Sequence, residues 1–122
     1  MRSKKYKSKE VGRLDKKFCN KYGLENCTNF KIVQSLGLIY HAQKHMNDFV
    51  SVDSFNETML KIKDVISSPY FVYYDIQKNS LKYYKKIVEY VCVVVNITST
   101  EAFVSTVYPV NKKNIDKLKN RG

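Results

Sequence analysis

The chain has few cysteines and no closely spaced cysteine pair, and this shortage excludes two classes of protein. Its three cysteines, Cys19, Cys27 and Cys92, do not make a disulfide framework, although Cys19 and Cys27 could pair with each other in an oxidising compartment. Structural zinc sites usually take their ligands in closely spaced pairs, which these cysteines do not offer. We therefore expect no metal ion and no cofactor.

Long apolar runs are also missing from the sequence. A transmembrane helix needs about 20 consecutive apolar residues, and no stretch of this sequence approaches that length, so no membrane insertion is expected. The N-terminal sequence MRSKKYKSKEVGRLDKK is charged and lacks the apolar core of a signal peptide. If the protein is exported, we expect its address to lie elsewhere, for example on a larger parent chain.

Acidic residues are half as numerous as basic ones. The 122 residues include 22 lysines and arginines against 11 aspartates and glutamates, which gives a formal net charge of +11 at pH 7. Such an excess predicts an anionic partner, namely nucleic acid, a membrane surface or an acidic protein. The hydrophobic fraction of 43% suits a globular protein, and the length is sufficient for one domain with one core.

The first part of the chain has helical patterns. Residues 1–9 are predicted to be a basic flexible arm, and residues 10–122 a single domain. Apolar residues at spacings of three and four predict three helices, over residues 10–21, 29–45 and 54–67. His41 and His45 lie on the second of these helices, roughly opposite its apolar stripe.

The second part of the chain has strand patterns. Runs of β-branched and aromatic residues predict an antiparallel meander of four strands, over residues 70–75, 81–87, 90–97 and 102–108. The third run is the most apolar and should be central. A short basic helix is predicted near residues 111–119. The fold class is therefore α+β, with N-terminal helices packed on a four-stranded antiparallel sheet and a short C-terminal helix.

A basic sheet threaded with lysines and tyrosines is a surface on which RNA could be held, and the two histidines could cleave it. Cleavage through the 2′-hydroxyl of RNA needs a base, an acid, and donors that hold the charge of the phosphorane. Histidine suits the first two roles because its charge changes near neutral pH. His41 and His45 could both be catalytic, or one could be catalytic and the other contact the substrate. The simpler alternative is two solvated histidines on a polar helix face.

Lysines on the second predicted strand are candidates for phosphate contacts. Lys82 and Lys85 fall on opposite faces of a regular strand, so only one of them can lie beside the histidines. The Lys82 face, which includes Tyr84 and Lys86, is the more polar and is predicted to bind RNA. The alternative is that these lysines are solvated residues of an edge strand.

The fourth predicted strand offers hydroxyl groups. Thr106 and Tyr108 share one face of this strand, and Ser105 lies on the other as a candidate RNA contact. The alternative for all three is an ordinary strand-forming role.

The order of these segments resembles the barnase–EndoU–colicin–RelE (BECR) superfamily of ribonucleases, and most closely its phage- and mobile-element-associated branch. The matching segments are HAQKH (41–45), SPYFVYYD (68–75), SLKYYKK (80–86), VCVVV (91–95) and VSTVYPV (104–110). The resemblance implies a sheet that cradles RNA and metal-independent cleavage to a 2′,3′-cyclic phosphate. Asn96 is a departure, because the resemblance leads us to expect a lysine there.

The resemblance also implies roles for residues and partners. A helix-borne histidine would be catalytic, so His41 and His45 are both candidates, and Lys85, Thr106 and Tyr108 would act on the transition state. The protein would be a toxin domain that cleaves RNA, with tRNA favoured, in a target cytoplasm. It would arrive on a larger secreted or phage-encoded protein and be neutralised by an acidic immunity or antitoxin protein. Two other functions fit the composition: a non-catalytic RNA- or DNA-binding module, and an interaction protein whose basic face meets an acidic partner.

Overall fold

A computed structural model describes residues 8–35 and 37–121 and shows an α+β fold built on a mixed sheet. The strands of this part of the chain are β1 (Ser8–Arg13), β2 (Lys31–Ser35), β3 (Phe71–Asp75), β4 (Ser80–Lys86), β5 (Tyr90–Ile97) and β6 (Ala102–Pro109). Its α-helices are α1 (Lys16–Lys21), α2 (Leu38–Ala42), α3 (Val52–Leu60), α4 (Ile62–Ser67) and α5 (Lys112–Arg121). Two 3-10 helices cover Glu25–Cys27 and Gln43–Asp48. None of the described helices is long and apolar enough to cross a membrane.

The predicted antiparallel meander is present as β3 to β6. Each of these strands pairs antiparallel with the next one along the chain, and the predicted bounds differ from the observed ones by at most one residue at either end. The prediction of a four-stranded sheet was wrong, however, because the described residues form a sheet of six strands in the order β1-β2-β6-β5-β4-β3. β2 runs parallel to β6, and β1 pairs antiparallel with β2.

The first two predicted helices were wrong in their first halves, where β1 and β2 lie instead. The helix predicted over 10–21 begins only at Lys16, and the one predicted over 29–45 is a helix only from Leu38 onward. A short apolar run cannot be assigned to helix or strand from its spacing alone. Here the deciding partner of Ile32 is Ala102 on β6, which lies far along the chain.

The third predicted helix is divided in two. It begins at Val52 rather than near Ser54, because the Ser51 hydroxyl caps it by accepting a hydrogen bond from the Ser54 amide at 3.0 Å. Lys61, with non-helical backbone angles, separates α3 from α4.

The predicted basic arm falls mostly outside the described residues. Its last two residues, Ser8 and Lys9, are the first two of β1 and pair with Ser35 and Gln34 of β2. The sheet therefore begins inside the segment that was assigned to the arm.

The two faces of the meander have different surroundings. On one face, β5 contributes Val91, Val93 and Val95 to the main core, which also contains side chains of α1, α2, α3 and α4. The opposite face, which we call the α5 face, packs against α5 through Ile115. Its residues on β4, β5 and β6 alternate with those of the core and include Lys82 and Tyr84 on β4, Cys92 and Val94 on β5, and Thr106 and Tyr108 on β6.

This arrangement predicts the reactivity of the three thiols, all of which are free. Cys19 and Cys92 are buried, and burial raises the pKa of both thiols, that of Cys92 to about 11. A thiol-reactive disulfide reagent at mildly alkaline pH should therefore modify Cys27 alone in the native protein, and all three cysteines after denaturation. Cys27→Ser is the control and should remove the native reaction. Rapid reaction of Cys92 would show that the α5 face is open at its centre.

Candidate functional site

His45 lies beside the second half of β6. β2 pairs with β6 only at Ala102 and Phe103, and the 3-10 helix Gln43–Asp48 borders the rest of that strand. The His45 ring lies 5.9 Å from the Tyr108 ring, between centroids, at an interplanar angle of 52°. Its side chain is 30% exposed. The histidine is thus held against the sheet but remains reachable from solvent.

Asp48 orients the same histidine. The His45 Nδ1 atom lies 3.4 Å from the Asp48 Oδ2 atom. A carboxylate on Nδ1 favours the tautomer that carries its proton there, which leaves Nε2 free to accept a proton. Asp48 was not among the residues expected from the sequence, because the helix predicted over 29–45 ends before it, whereas the helical segment continues to Asp48 and brings it beside His45.

A cleft of about 620 Å³ opens at this histidine. Its lining residues are His45, Asp48, Glu89, Tyr108, Pro109, Val110 and Asn111. Glu89 already accepts hydrogen bonds from the Val50 amide at 2.8 Å and the Ser54 hydroxyl at 2.7 Å, so its carboxylate anchors the start of α3. The groups of the cleft that could transfer a proton or donate a hydrogen bond to a substrate are therefore the oriented imidazole of His45 and the hydroxyl of Tyr108.

Tyr108 connects the cleft to the α5 face. Burial, and then the neighbouring Cys92 thiol, raise the pKa of Tyr108 well above its usual range. The hydroxyl therefore stays protonated at neutral pH and can act as a hydrogen-bond donor. The resemblance implied that Tyr108 acts on the same transition state as a histidine, and the structure places its ring next to that of His45.

Lys82 is the lysine that shares the α5 face with Tyr108. In the sheet register Lys82 is opposite Val94, which in turn is opposite Thr106, so Lys82 and Thr106 are two strands, or about 10 Å, apart. The Lys82 Nζ atom lies 3.7 Å from the Asp75 Oδ2 atom, and both side chains are partly exposed. The carboxylate of Asp75, another residue not expected from the sequence, holds the ammonium group over this face.

Three other expected residues have a hydroxyl or a ring that the protein itself buries or engages. The Thr106 hydroxyl is buried and has no hydrogen-bond partner among the described residues. Ser105 sits at a bulge, where its hydroxyl donates to the Val94 carbonyl at 3.3 Å and lies 3.4 Å from the Asn96 side-chain oxygen. Tyr84 is 5% exposed and stacks on Phe71, so neither side of its ring is open to an unpaired base.

Lys85 is on the opposite face of β4. Its ammonium group donates to the Ser68 carbonyl at 2.9 Å and lies 2.7 Å from the Ser68 hydroxyl. Two lysines three residues apart on a regular strand lie on opposite faces of the sheet. Here Lys82 is on the face that carries Tyr108, and Lys85 is on the face that contacts the end of α4. The structure therefore does not bring Lys85 together with His45, Thr106 and Tyr108.

His41 and Lys86 are exposed at the margins. His41 lies on α2, one turn before His45, and the helix changes to 3-10 geometry between them. Lys86 ends β4 opposite Tyr90. Among residues 8–35 and 37–121, no group of three or more His, Cys, Asp or Glu side chains is arranged to hold a metal ion.

Comparison with known proteins agrees with the resemblance seen in the sequence. Residues 9–117 match the model of a family described as phage-Barnase-EndoU-ColicinE5/D-RelE like nuclease3. No curated protein and no solved structure matches the chain. The family match covers nearly the whole sheet, including β1 and β2, and both margins of the cleft. The chain therefore belongs to the phage-Barnase-EndoU-ColicinE5/D-RelE like nuclease3 family, and its substrate is nucleic acid.

Proposed function

We propose that the protein is a metal-independent endoribonuclease that cuts RNA by attack of the 2′-hydroxyl on the adjacent phosphate. The observation that carries this proposal is His45, which Asp48 orients at 3.4 Å and which packs on Tyr108 at the edge of a basic sheet. RNA supplies its own nucleophile, so the protein needs only proton transfer and charge stabilisation. His45, Tyr108 and Lys82 have the chemistry for both.

The proposed reaction transfers, in net, one proton from the 2′-oxygen to the departing 5′-oxygen through His45 and Tyr108. His45 Nε2 removes the 2′-hydroxyl proton while the 2′-oxygen bonds to phosphorus and the bond from phosphorus to the 5′-oxygen breaks. The Tyr108 hydroxyl gives a proton to the departing 5′-oxygen and regains one from His45, its ring neighbour. The products are a 2′,3′-cyclic phosphate and a free 5′-hydroxyl. His41, one turn away, is the alternative source of the second proton.

Lys82 is proposed to stabilise the pentacoordinate phosphorane. Its ammonium group is 24% exposed and is held by Asp75 rather than by the core. A cation that is held in place before the substrate binds lowers the barrier more than a mobile one, because no reorganisation is needed as charge develops.

The biological setting that we propose follows the family. The protein acts as a toxin on RNA in a target cytoplasm, with tRNA as the favoured substrate, after delivery on a larger secreted or phage-encoded protein. Its net charge of +11 supports an anionic substrate and also an acidic immunity or antitoxin protein as its neutralising partner. The basic residues proposed to contact RNA would then be the ones that the inhibitor covers.

The test is an assay with purified protein on total tRNA, a single-stranded RNA and a DNA of matched sequence. We expect cleavage of RNA but not of DNA, equal rates with and without EDTA, and product ends that carry a 2′,3′-cyclic phosphate. A mock purification from cells that lack the gene is the control for contaminating ribonuclease. Loss of activity in EDTA, restored by a divalent ion, would overturn the metal-independent mechanism, and cleavage of DNA would overturn the use of the 2′-hydroxyl.

A non-catalytic RNA-binding module is the second candidate. The net charge of +11 and the buried hydroxyl of Thr106 favour it, because the charge supports binding of an anion while the Thr106 hydroxyl is not free to act on a phosphate in this conformation. The same assay separates the two functions, since a binding module would retain RNA without cutting it.

A further inference from the structure

The cleft beside His45 is poorly equipped to hold the phosphates of a long substrate. Among its described lining residues, Asp48 and Glu89 are carboxylates and none is a lysine or arginine. Lys82 of the α5 face is not among these lining residues, and its ammonium group is 3.7 Å from the Asp75 carboxylate. Affinity for nucleic acid depends mainly on cations that neutralise phosphates. The binding energy for RNA must therefore come from another part of the surface.

A second concave surface, which we call the β3 groove, has the opposite charge. It has a volume of about 450 Å³, and it follows the edge strand β3 between the end of α1 and the end of α5. Its lining residues are Lys21, Tyr22, Phe71, Tyr73, Tyr74, Leu118, Lys119 and Arg121. Three of these eight are cations, four are aromatic, and no carboxylate is among them.

The cations of the β3 groove lie next to aromatic rings. The Lys21 Nζ atom is 5.4 Å from the centre of the Tyr22 ring, which itself packs on Tyr74 with 5.1 Å between centroids. At the other end, the Lys119 Nζ atom is 4.2 Å from the centre of the Tyr70 ring. Alternating rings and cations are the usual construction of sites for single-stranded nucleic acid, where bases stack and phosphates find positive charge.

The walls of the groove are fixed by the fold. α5 is attached to the sheet by the buried Ile115 and by a hydrogen bond of 3.0 Å from the Tyr70 hydroxyl to Asp116. Asp116 also pairs with Lys112 at 3.2 Å, so its carboxylate is engaged within this cluster rather than lining the groove. Because α5 is fixed in this way, Lys119 and Arg121 can bind phosphates without the ordering of a loop. Ordering a loop on binding would reduce affinity.

We infer that the β3 groove is a subsite for unpaired nucleotides that flank the cleaved bond, with a base stacked on its tyrosines and phosphates held by Lys21, Lys119 and Arg121. β3 is three strands from β6, which is about 14 Å at the usual strand spacing. A short single-stranded segment can cover that distance across the α5 face. The role of the groove in cleavage rests on the proposed function. Binding of nucleotides in the groove does not depend on it.

The binding test uses a short 2′-O-methyl oligoribonucleotide, which cannot be cut because it lacks a free 2′-hydroxyl. The variant with Lys21→Gln, Lys119→Gln and Arg121→Gln should bind it at least about tenfold more weakly at low salt, and the slope of log affinity against log salt should fall by about 2. The control carries Lys16→Gln, Lys31→Gln and Lys63→Gln, which remove the same charge from exposed positions outside the groove. The control should change affinity and slope much less.

A second variant tests stacking without changing charge. Tyr22→Leu keeps an apolar side chain against Tyr74 but removes a ring, and it should weaken oligonucleotide binding by about tenfold. Circular dichroism and thermal unfolding check that the fold is retained. Equal affinity of parent, groove variant and control would overturn the inference. The alternative ligand of the groove would then be a protein segment that adds a strand to the edge of β3.

Cleavage assays separate this inference from the proposed function. If the protein cuts RNA, the groove variant should cut a dinucleotide as fast as the parent does, but lose the parent's preference for longer RNA. If it cuts no RNA while the groove variant still binds the oligonucleotide more weakly, the subsite stands and the nuclease mechanism fails. A groove variant that cuts both substrates as the parent does and binds equally well would remove the subsite alone.

Discussion

Replacement of His45 by alanine should slow RNA cleavage by about 10²–10⁴-fold, because it removes the group that takes the 2′-hydroxyl proton. The free energy of unfolding should fall by no more than about 1 kcal/mol, since the side chain is 30% exposed and loses only its contacts with Tyr108 and Asp48. Single-turnover cleavage of one RNA, together with chemical denaturation of both proteins, measures the two effects separately.

His41→Ala is the matched control for this prediction. His41 is the same residue type on the same segment, but it is exposed on α2, before the change to 3-10 geometry that carries His45 to the sheet. We expect it to retain activity within about tenfold of the parent, the loss expected of a peripheral substrate contact. If His41→Ala were as inactive as His45→Ala, His41 would be the second proton-transfer group. If His45→Ala cleaved RNA at the parent's rate, the proposed mechanism would be wrong.

The sequence predicted the meander well because its strands carry their own pattern. β5 has an uninterrupted apolar run, VCVVV, and β4 follows the polar turn residues Gln77, Lys78 and Asn79, so both could be identified without knowing their partners. The strands β1 and β2 have no such pattern. Only one side chain of β2, Ile32, is fully buried, and the strand exists because β1 and β6 supply its hydrogen bonds.

The pair of histidines shows a second limit of sequence reasoning. His41 and His45 are four residues apart, and on a continuous helix they would share one face. The chain instead tightens to a 3-10 helix at Gln43, and its turn of about three residues no longer keeps the two side chains aligned. Whether a helix tightens depends on what packs beside it, here the second half of β6, and no local pattern records that.

The choice between the two lysines was open in the sequence and can be argued from the structure. The polar pattern of β4 favoured Lys82, whereas the resemblance to the BECR superfamily favoured Lys85. Lys82 shares the α5 face with Tyr108 and Thr106, and Lys85 is bound to Ser68 on the face that the N-terminal helices cover. The role of each remains a prediction, and it has a direct test.

Lys82→Met should lower the rate of the cleavage step by about 10²–10³-fold, with a much smaller effect on RNA affinity, because the ammonium group is expected to act on the charge that develops in the transition state. Lys85→Met removes the same charge from the same strand, so it is a closely matched control. It should cleave RNA at nearly the parent's rate, and it should unfold more easily by about 0.5–1.5 kcal/mol because its hydrogen bonds to Ser68 are lost.

One further variant removes an ambiguity in that comparison. Lys82→Met leaves the Asp75 carboxylate without its partner at 3.7 Å, and the free carboxylate could repel the phosphate by itself. In the double variant with Lys82→Met and Asp75→Asn both charges are absent, so the net charge of the protein is unchanged. If Lys82 stabilises the transition state, this double variant stays slow. If it recovers the parent's rate, the loss came from the exposed carboxylate. If Lys85→Met is the slow variant and Lys82→Met is not, the reaction takes place on the opposite face of the sheet from the one proposed.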